Sequence, residues 1–285
     1  MPYCVEVIAD SISPQAVRLT TLSVTLPRIV LAELNTHRML SRNSASSRAI
    51  PIQRMIDKVM LDPFIPFYWG ANQRGMQAAV EIDAASQQQA ERMWLLARDV
   101  AVEQALKLSA LGVHKQLANR LLEPWLYTTV LVSATDWDNF YGLRCHPDAQ
   151  PELRRAAEMM RDAMAASTPR RLTHSEWHVP YARDEDRAVA ATALDGVKGL
   201  WAKDLATDYA RLLLSAARCA RISYDASSSV REQTDDIALA KRLASAGHWS
   251  PFEHIATPSR RLGYTGNFWG WRQLRWFHSG ESGQV

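Results

Sequence analysis

The spacing of hydrophobic and polar positions changes several times along the chain, and each change marks an element. Residues 5–12 and 18–27 read as strands; in the second, Leu19, Leu22, Val24 and Leu26 partly alternate with hydroxyl residues, as a half-buried strand requires. Ile29, Val30, Leu31 and Leu34 then form one buried helical face that ends near Leu40. Residues 41–49 are rich in serine, which bonds locally to backbone, and predict a loop that presents side chains and amides. A short helix is predicted over 52–61, an irregular segment over the Pro- and aromatic-rich stretch after it, and a long helix over 81–111, stopped by Gly112. Residues 128–133 are β-branched and strand-like, and Asp136 is placed to cap a helix over 137–143. Further helices follow over 150–166, from 202 onward and over 231–246, the last stopped by Gly247. The class is α+β: a mixed or antiparallel sheet flanked by long helices.

Composition narrows the picture. A chain of 285 residues with 47% hydrophobic content buries a sizeable core, as one large domain or two small ones. The 33 Lys and Arg against 30 Asp and Glu leave a net charge of only +3, and the cations are scattered. A nucleic-acid surface of the usual electrostatic kind is therefore not indicated, while an anionic small molecule stays open as partner. Cys4, Cys145 and Cys219 are odd in number and widely separated, which suits a reducing compartment. With no signal-peptide pattern and no apolar run near the roughly 20 residues of a membrane span, the expected setting is the cytoplasm.

The chemistry concentrates in residues 36–49, which hold an imidazole (His37), three guanidiniums (Arg38, Arg42, Arg48), five hydroxyls and the Asn43 amide. Three such guanidiniums can fork onto phosphate oxygens. The spacing of His37, Arg38, Ser41, Asn43, Ser46 and Arg48 resembles the signature of the flavin-dependent thymidylate synthases, R-H-R-x-x-S-x-N-E-x-S-x-R-Y, at six of nine fixed positions. Thr36, Ser44 and Ala49 depart from it. Further blocks are similar to that family. Arg120, Pro124, Leu126, Tyr127 and Thr128, followed by Asn139, Phe140, Leu143, Arg144, Ala149 and Gln150, match its strand-and-helix block. The run from Ala217 to Asp225 resembles R-A-A-R-V-S-F-D, and the run from Gly247 to His254 resembles G-H-x-S/T-P-F-E-H. In the family the last two blocks precede the arginine signature; here they follow it by about two hundred residues. A circular permutation accounts for that order, with one catalytic domain over 1–285 and residues 167–200 as the new connection.

The resemblance implies a fold like that of the family, permuted, a homotetramer, and C5 methylation of dUMP with FAD, NADPH and methylenetetrahydrofolate. By the same carry-over Ser46, Arg48 and Arg120 hold the dUMP phosphate and sugar, and Arg144 stabilises charge on the pyrimidine. His37, Arg38, Asn139, Ser250 and Glu253 contact FAD, with Ser223 a further FAD candidate, and His248 sits beside the flavin ring and the folate. No metal is expected, because His248 and His254 lack helical i, i+4 spacing and Pro251 interrupts any helix between them. Cys145-His146 with Gln150 resembles the nucleophile motif of the cysteine-dependent synthases, but the preceding Pro-Pro is missing and Gln150 already belongs to the other alignment. Two alternatives stand beside this reading. Thr36 and Ser44 admit a related enzyme acting on dCMP or making a hydroxymethyl product. The ten Trp admit a catalytically silent nucleotide- or nucleic-acid-binding protein, against which Arg48, Arg120, Arg144 and the PFEH block argue.

Overall fold

A computed structural model of the chain describes residues 3–183, 185–186, 208–224 and 233–277. Its frame is a mixed sheet in the order β3-β4-β2-β1-β5. The strands are β1 (Cys4–Ile12), β2 (Arg18–Pro27), β3 (Ser41–Ser44), β4 (Tyr127–Ala134) and β5 (Arg170–Arg171). Only the β1–β5 pairing in this sheet is parallel.

The alternation in β2 gives the sheet two unlike faces. Leu22, Val24 and Leu26 point one way, beside Val132 and Val130 of β4. They pack on α6 (Pro151–Ala166) through Leu153, Ala156, Ala157 and Met160, an i, i+3, i+4, i+7 stripe. Leu31 and Leu34 of α1 (Leu31–Asn35) and Phe140 of α5 (Asp138–Arg144) complete this core. Each of the Leu, Val, Met and Phe side chains contributes about 1.5–3 kcal/mol by leaving water. The opposite face carries Thr21, Ser23 and Thr25, with Ser133 and Thr129 directly across from the first and last. It is covered by the carboxyl-terminal half of the chain: Cys219 and Ile222 lie on Leu131, while Ala256, Phe268 and Trp271 lie around Leu19.

The remaining elements follow the sequence pattern closely. α2 is Ile52–Leu61, with Met55, Ile56 and Val59 buried against Ala105 and Trp125. α3 is Ala84–Ala110; it starts later than the pattern implies because Glu81 bridges Gly70 and Asp83 accepts from the Ser86 amide at 3.0 Å as its cap. Gly112, at φ +80°, turns the chain out of it, where a Cβ would be strained. α4 (Lys115–Ala118) is a single turn. α7 (Tyr209–Arg221) and α8 (Gln233–Ser245) pack together around Leu213, Leu214, Ile237 and Phe252. The aromatic tail is partly core: β9 (Trp271–Gln273) pairs with β6 (Ala256–Pro258), and β7 (Tyr264–Thr265) with β8 (Phe268–Trp269).

Three expectations need correction. Residues 41–44 form an edge strand, because the free edge of β4 offers them a backbone ladder that outcompetes local serine turns. The helix before it stops at Asn35 instead of near Leu40, since Arg42 donates to the carbonyls of Leu34, Asn35 and His37 and holds the chain there. Asp136 does not cap α5; its carboxylate accepts from Thr135 Oγ1, and Trp137 occupies the cap position without a side-chain bond. Residues 187–200 of the expected connection, the helix starts at 202 and 231, and Asp225 lie outside the described residues. The described part of that connection is built into the fold through β5 and a bridge between His178 and Ala256.

A buried ion cluster ties the helical half together. Arg218 grips Asp186 with two bonds of 2.6 and 2.8 Å, and Asp236 binds both Arg218 and Arg221. Removing one partner of such a pair costs about 3–5 kcal/mol, because the other charge stays buried.

His178 and His254, fully buried on the polar sheet face, are pushed by that burial from 6.5 down to about 3. The unfolded chain therefore takes up protons on both rings before the folded one does. Stability is fully present above about pH 6.5 and declines as pH falls toward about 3. Burial alone would raise Asp10 and Asp186, but bonds from Arg18 and Arg218 hold both below the usual carboxylate range, so they act only at lower pH. The melting temperature should fall between pH 7 and pH 5; a flat profile across that window would contradict the assignment.

Candidate active site

Strand β3 is the element around which the expected site residues gather. At its entrance, α1 delivers Glu33 and, one turn later, His37. Arg144, the last residue of α5, reaches across: its Nε donates to His37 Nε2 at 2.7 Å and its Nη1 to Glu33 at 3.1 Å, with Thr36 Oγ1 at 3.4 Å. Three of the five guanidinium N–H groups are thus directed, and the plane of the cation is set. His37 must be neutral with its proton on Nδ1 to accept that bond; burial, then Arg144 and Arg42, lower its pKa accordingly. Phe140 packs edge-on against the ring at 4.9 Å. Thr36, where the family has arginine, donates to the Glu33 carbonyl and so serves the helix end.

Midway along β3, the 3-10 turn Ser250–His254 lies against the strand. The Asn43 side-chain nitrogen reaches the Ser250 carbonyl at 3.3 Å, the Arg42 carbonyl at 3.0 Å and His254 Nε2 at 3.3 Å. Glu253 is half-buried; Arg275 binds its Oε1, and Gln273 donates to its carbonyl at 3.0 Å and to Ser41 Oγ at 3.1 Å. Burial lowers the pKa of the Arg42 guanidinium, and the nearby Glu253 carboxylate opposes that shift in part. Arg42 Nη1 faces the three carbonyls at the end of α1, which commits one arm of a guanidinium expected to fork onto phosphate. His248 is exposed and His254 fully buried.

Past the strand, the Ser46 amide donates to the Ser223 carbonyl at 3.0 Å, so two blocks distant in sequence meet again. Arg120 forms an exposed i, i+3 pair with Glu123 at 2.7 Å, worth about 0–1 kcal/mol. Glu123 also accepts from Ser47 at 2.6 Å and lies 3.4 Å from Arg28, which tethers the motif segment. Arg38 and Arg48 are exposed and have no side-chain partner among the described residues, and Asn139 and Ser250 are likewise exposed. One chain therefore gathers His37 with Arg144, Ser250 and Glu253 with β3, and Ser46 with Ser223, but leaves Arg38, Arg48, Asn139 and His248 facing solvent.

Two cavities flank the strand. The larger, about 390 Å³, lies behind Ala45 and Ser47 on the polar sheet face and contains none of the expected site residues. The smaller, about 220 Å³, is lined by Glu253, Asn267, Gln273, Arg275 and Trp276, so the aromatic tail also walls the Glu253 side of the site. Neither cavity contains the His37–Arg144 pair, and of the expected site residues Glu253 alone lines the smaller one. Cys145 is half-buried, and burial first of all raises its thiol, which keeps it protonated near neutral pH. Glu33, Glu123, Gln273 and Arg275 were not anticipated; only Glu33 had a visible signal, its helical i, i+4 spacing from His37.

The sequence profile described as thymidylate synthase complementing protein matches residues 11–170, a span that includes His37, Arg38, Ser46, Arg48, Arg120, Asn139 and Arg144. Comparison with curated proteins gives no match. Among solved structures the chain is similar to a UMP/dUMP methylase PolB from Streptomyces cacaoi bound with 5-Br UMP: 20% identity over 57% of this chain and 88% of that one, TM-score 0.48. The same methylase bound with 5-Br dUMP gives 20% identity, 57% and 90% coverage, and a TM-score of 0.48. Since the profile covers more than half of the sequence and the arginine signature lies within it, the chain belongs to the thymidylate synthase complementing protein family, the flavin-dependent thymidylate synthases, and is a methyltransferase of that type.

Proposed function

We propose that the chain methylates dUMP at C5 to give dTMP, with FAD as bound cofactor and methylenetetrahydrofolate and NADPH as co-substrates. The observation that carries this reading is the meeting of His37 and Arg144, from separate motif blocks, at 2.7 Å, with Glu33 directing the guanidinium. A permanently cationic, oriented fork is suited to stabilise negative charge on the carbonyl edge of a uracil ring, which makes C5 nucleophilic without an enzyme thiolate. The uncommitted cations Arg38 and Arg48 suit phosphates, Arg48 with Ser46 and Arg120 toward the nucleotide. His37, Arg38, Asn139, Ser250 and Glu253, with Ser223, would hold FAD; Glu253 retains its Oε2 for that purpose although Oε1 is taken by Arg275. Reduced flavin, when bound, supplies the hydride that completes the methyl group, and His248 would stand beside it and the folate.

The exposed residues of the site are left for other copies to complete, as in a homotetramer. The apolar side chains Met93, Leu96 and Val100, exposed on one face of α3, offer a surface for that assembly. The order of the blocks, with residues distant in sequence meeting on β3, supports a circularly permuted single catalytic domain over 1–285, joined through residues 167–200. No described helix is long and apolar enough to cross a membrane, and a cytoplasmic setting is the one proposed. The second reading, a related enzyme acting on dCMP or forming a hydroxymethyl product, is favoured by one observation: Thr36 contributes a neutral hydroxyl where the family places a cation.

Tritium release from C5-labelled dUMP, with labelled dCMP in parallel, tests both readings. Arg144→Ala should lower turnover about a hundred- to a thousandfold, the usual cost of removing one charge-stabilising donor, with little loss of FAD. Arg144→Lys should not restore it, because an ammonium lacks the planar fork. Arg48→Ala should chiefly weaken nucleotide binding, since a phosphate is present equally before and during the reaction. Turnover by Arg144→Ala within a few-fold of wild type would remove Arg144 from its role, and release from dCMP alone would replace the first reading by the second. Cys145→Ala should stay active; a folded, flavin-bound but inactive variant would revive a thiolate mechanism.

A further inference from the structure

A continuous buried chain of hydrogen bonds crosses the polar face of the sheet. His254 Nε2 faces the Asn43 amide at 3.3 Å, and His254 Nδ1 lies 2.8 Å from Ser133 Oγ. Ser133 Oγ lies 2.6 Å from Thr21 Oγ1, which lies 2.8 Å from His178 Nε2, and His178 Nδ1 lies 2.9 Å from Ser11 Oγ. All six side chains are at most 7% exposed.

The direction of the chain follows from its Asn43 end and from counting protons. An Asn43 oxygen turned toward His254 would also face the carbonyls of Ser250 and Arg42; the nitrogen turned there donates to them, so it is the NH2 that faces His254. His254 Nε2 can then carry no hydrogen, and its proton sits on Nδ1, directed at Ser133. Ser133 has its one proton left for Thr21, Thr21 has its own for His178 Nε2, and His178 must donate from Nδ1 to Ser11. Reversing a link would set two donors face to face at Asn43 or leave a hydroxyl proton without an acceptor in the dry interior, at a cost of roughly 1–3 kcal/mol.

We propose that His254 is a positioning residue. As the Nδ1–H tautomer, held by this one-way chain, it locks the Ser250–Glu253 turn to Asn43 of the motif strand and so aligns the two halves of the site. The carbonyls of Ser250 and Arg42 hold the Asn43 NH2 toward His254 and so set that lone pair, and the bonds through Ser133, Thr21 and His178 run in the direction that agrees with it.

Histidine-ring nitrogen NMR on the full chain reads the tautomers directly. Both buried rings should show a protonated Nδ1 and a bare Nε2 at neutral pH; an Nε2–H tautomer at His254 overturns the proposal. His254→Leu removes the acceptor that faces Asn43, and His254→Gln returns one, its Oε1 standing in for Nε2. FAD titration should show affinity weaker by about tenfold in His254→Leu, the equivalent of one net hydrogen bond, and a partial recovery in His254→Gln. Thr25→Val, which removes the separate Thr25–Thr129 bond of the same sheet face, should change neither reading. A folded His254→Leu with unaltered FAD affinity overturns the proposal; should that variant not fold, the wild-type spectrum decides it. The affinity half rests on the flavin reading above. Wild-type chain that binds no FAD refutes that reading, while the ring spectrum still decides this one.

Discussion

The edge pairing of β3 with β4 is the constraint on which the rest of the site depends. It is a short strand made of serine, arginine and asparagine, with little apolar area of its own to hold it. Its ladder to β4 turns Ser41 and Asn43 toward the polar sheet face and Arg42 and Ser44 the other way. From that alternation the remaining contacts follow. Asn43 meets the Ser250–His254 turn, Ser41 receives Asn267 and Gln273, and Arg42 reaches back to close α1 and place His37 beside Arg144. A slip of one residue in this register would exchange every one of these partners.

The two-faced sheet explains how a motif so polar can be rigid. Leu22, Val24, Val130 and Val132 supply burial on one side, so the other can carry hydroxyls and imidazoles that contribute direction in place of area. Those groups are tolerated because each has a partner; an unmatched one would cost more than a net hydrogen bond returns. The covering half is secured separately by the Arg218–Asp186–Asp236–Arg221 cluster, which accounts for both arginines of the Ala217–Asp225 block as structural.

Much of the fold was legible because it depends on local signals. The boundaries of β2 and α2 follow from alternation and from a Pro before an apolar helix face, and the stop of α3 from Gly112. What escaped depends on partners distant in sequence. Nothing local marks residues 41–44 as a strand, since the ladder is supplied by β4, nearly ninety residues on. Nothing local commits Arg42 to backbone, or Arg275 to Glu253, because both are fixed by where the chain returns. In the candidate site, the resemblance to the family's motif blocks pointed to His37 and Arg144, but that they touch, and that Glu33 directs the pair, required the fold.

The visible absorption spectrum of the purified chain, equilibrated with FAD and then stripped of free cofactor, bears most directly on the account. The account predicts that the blue and near-ultraviolet flavin bands stay with the protein, and that they are lost when His37 and Ser250, which lie on two different blocks brought to β3, are both changed to alanine. A folded wild-type protein that emerges colourless, or a double variant that keeps its full complement of flavin, would contradict it.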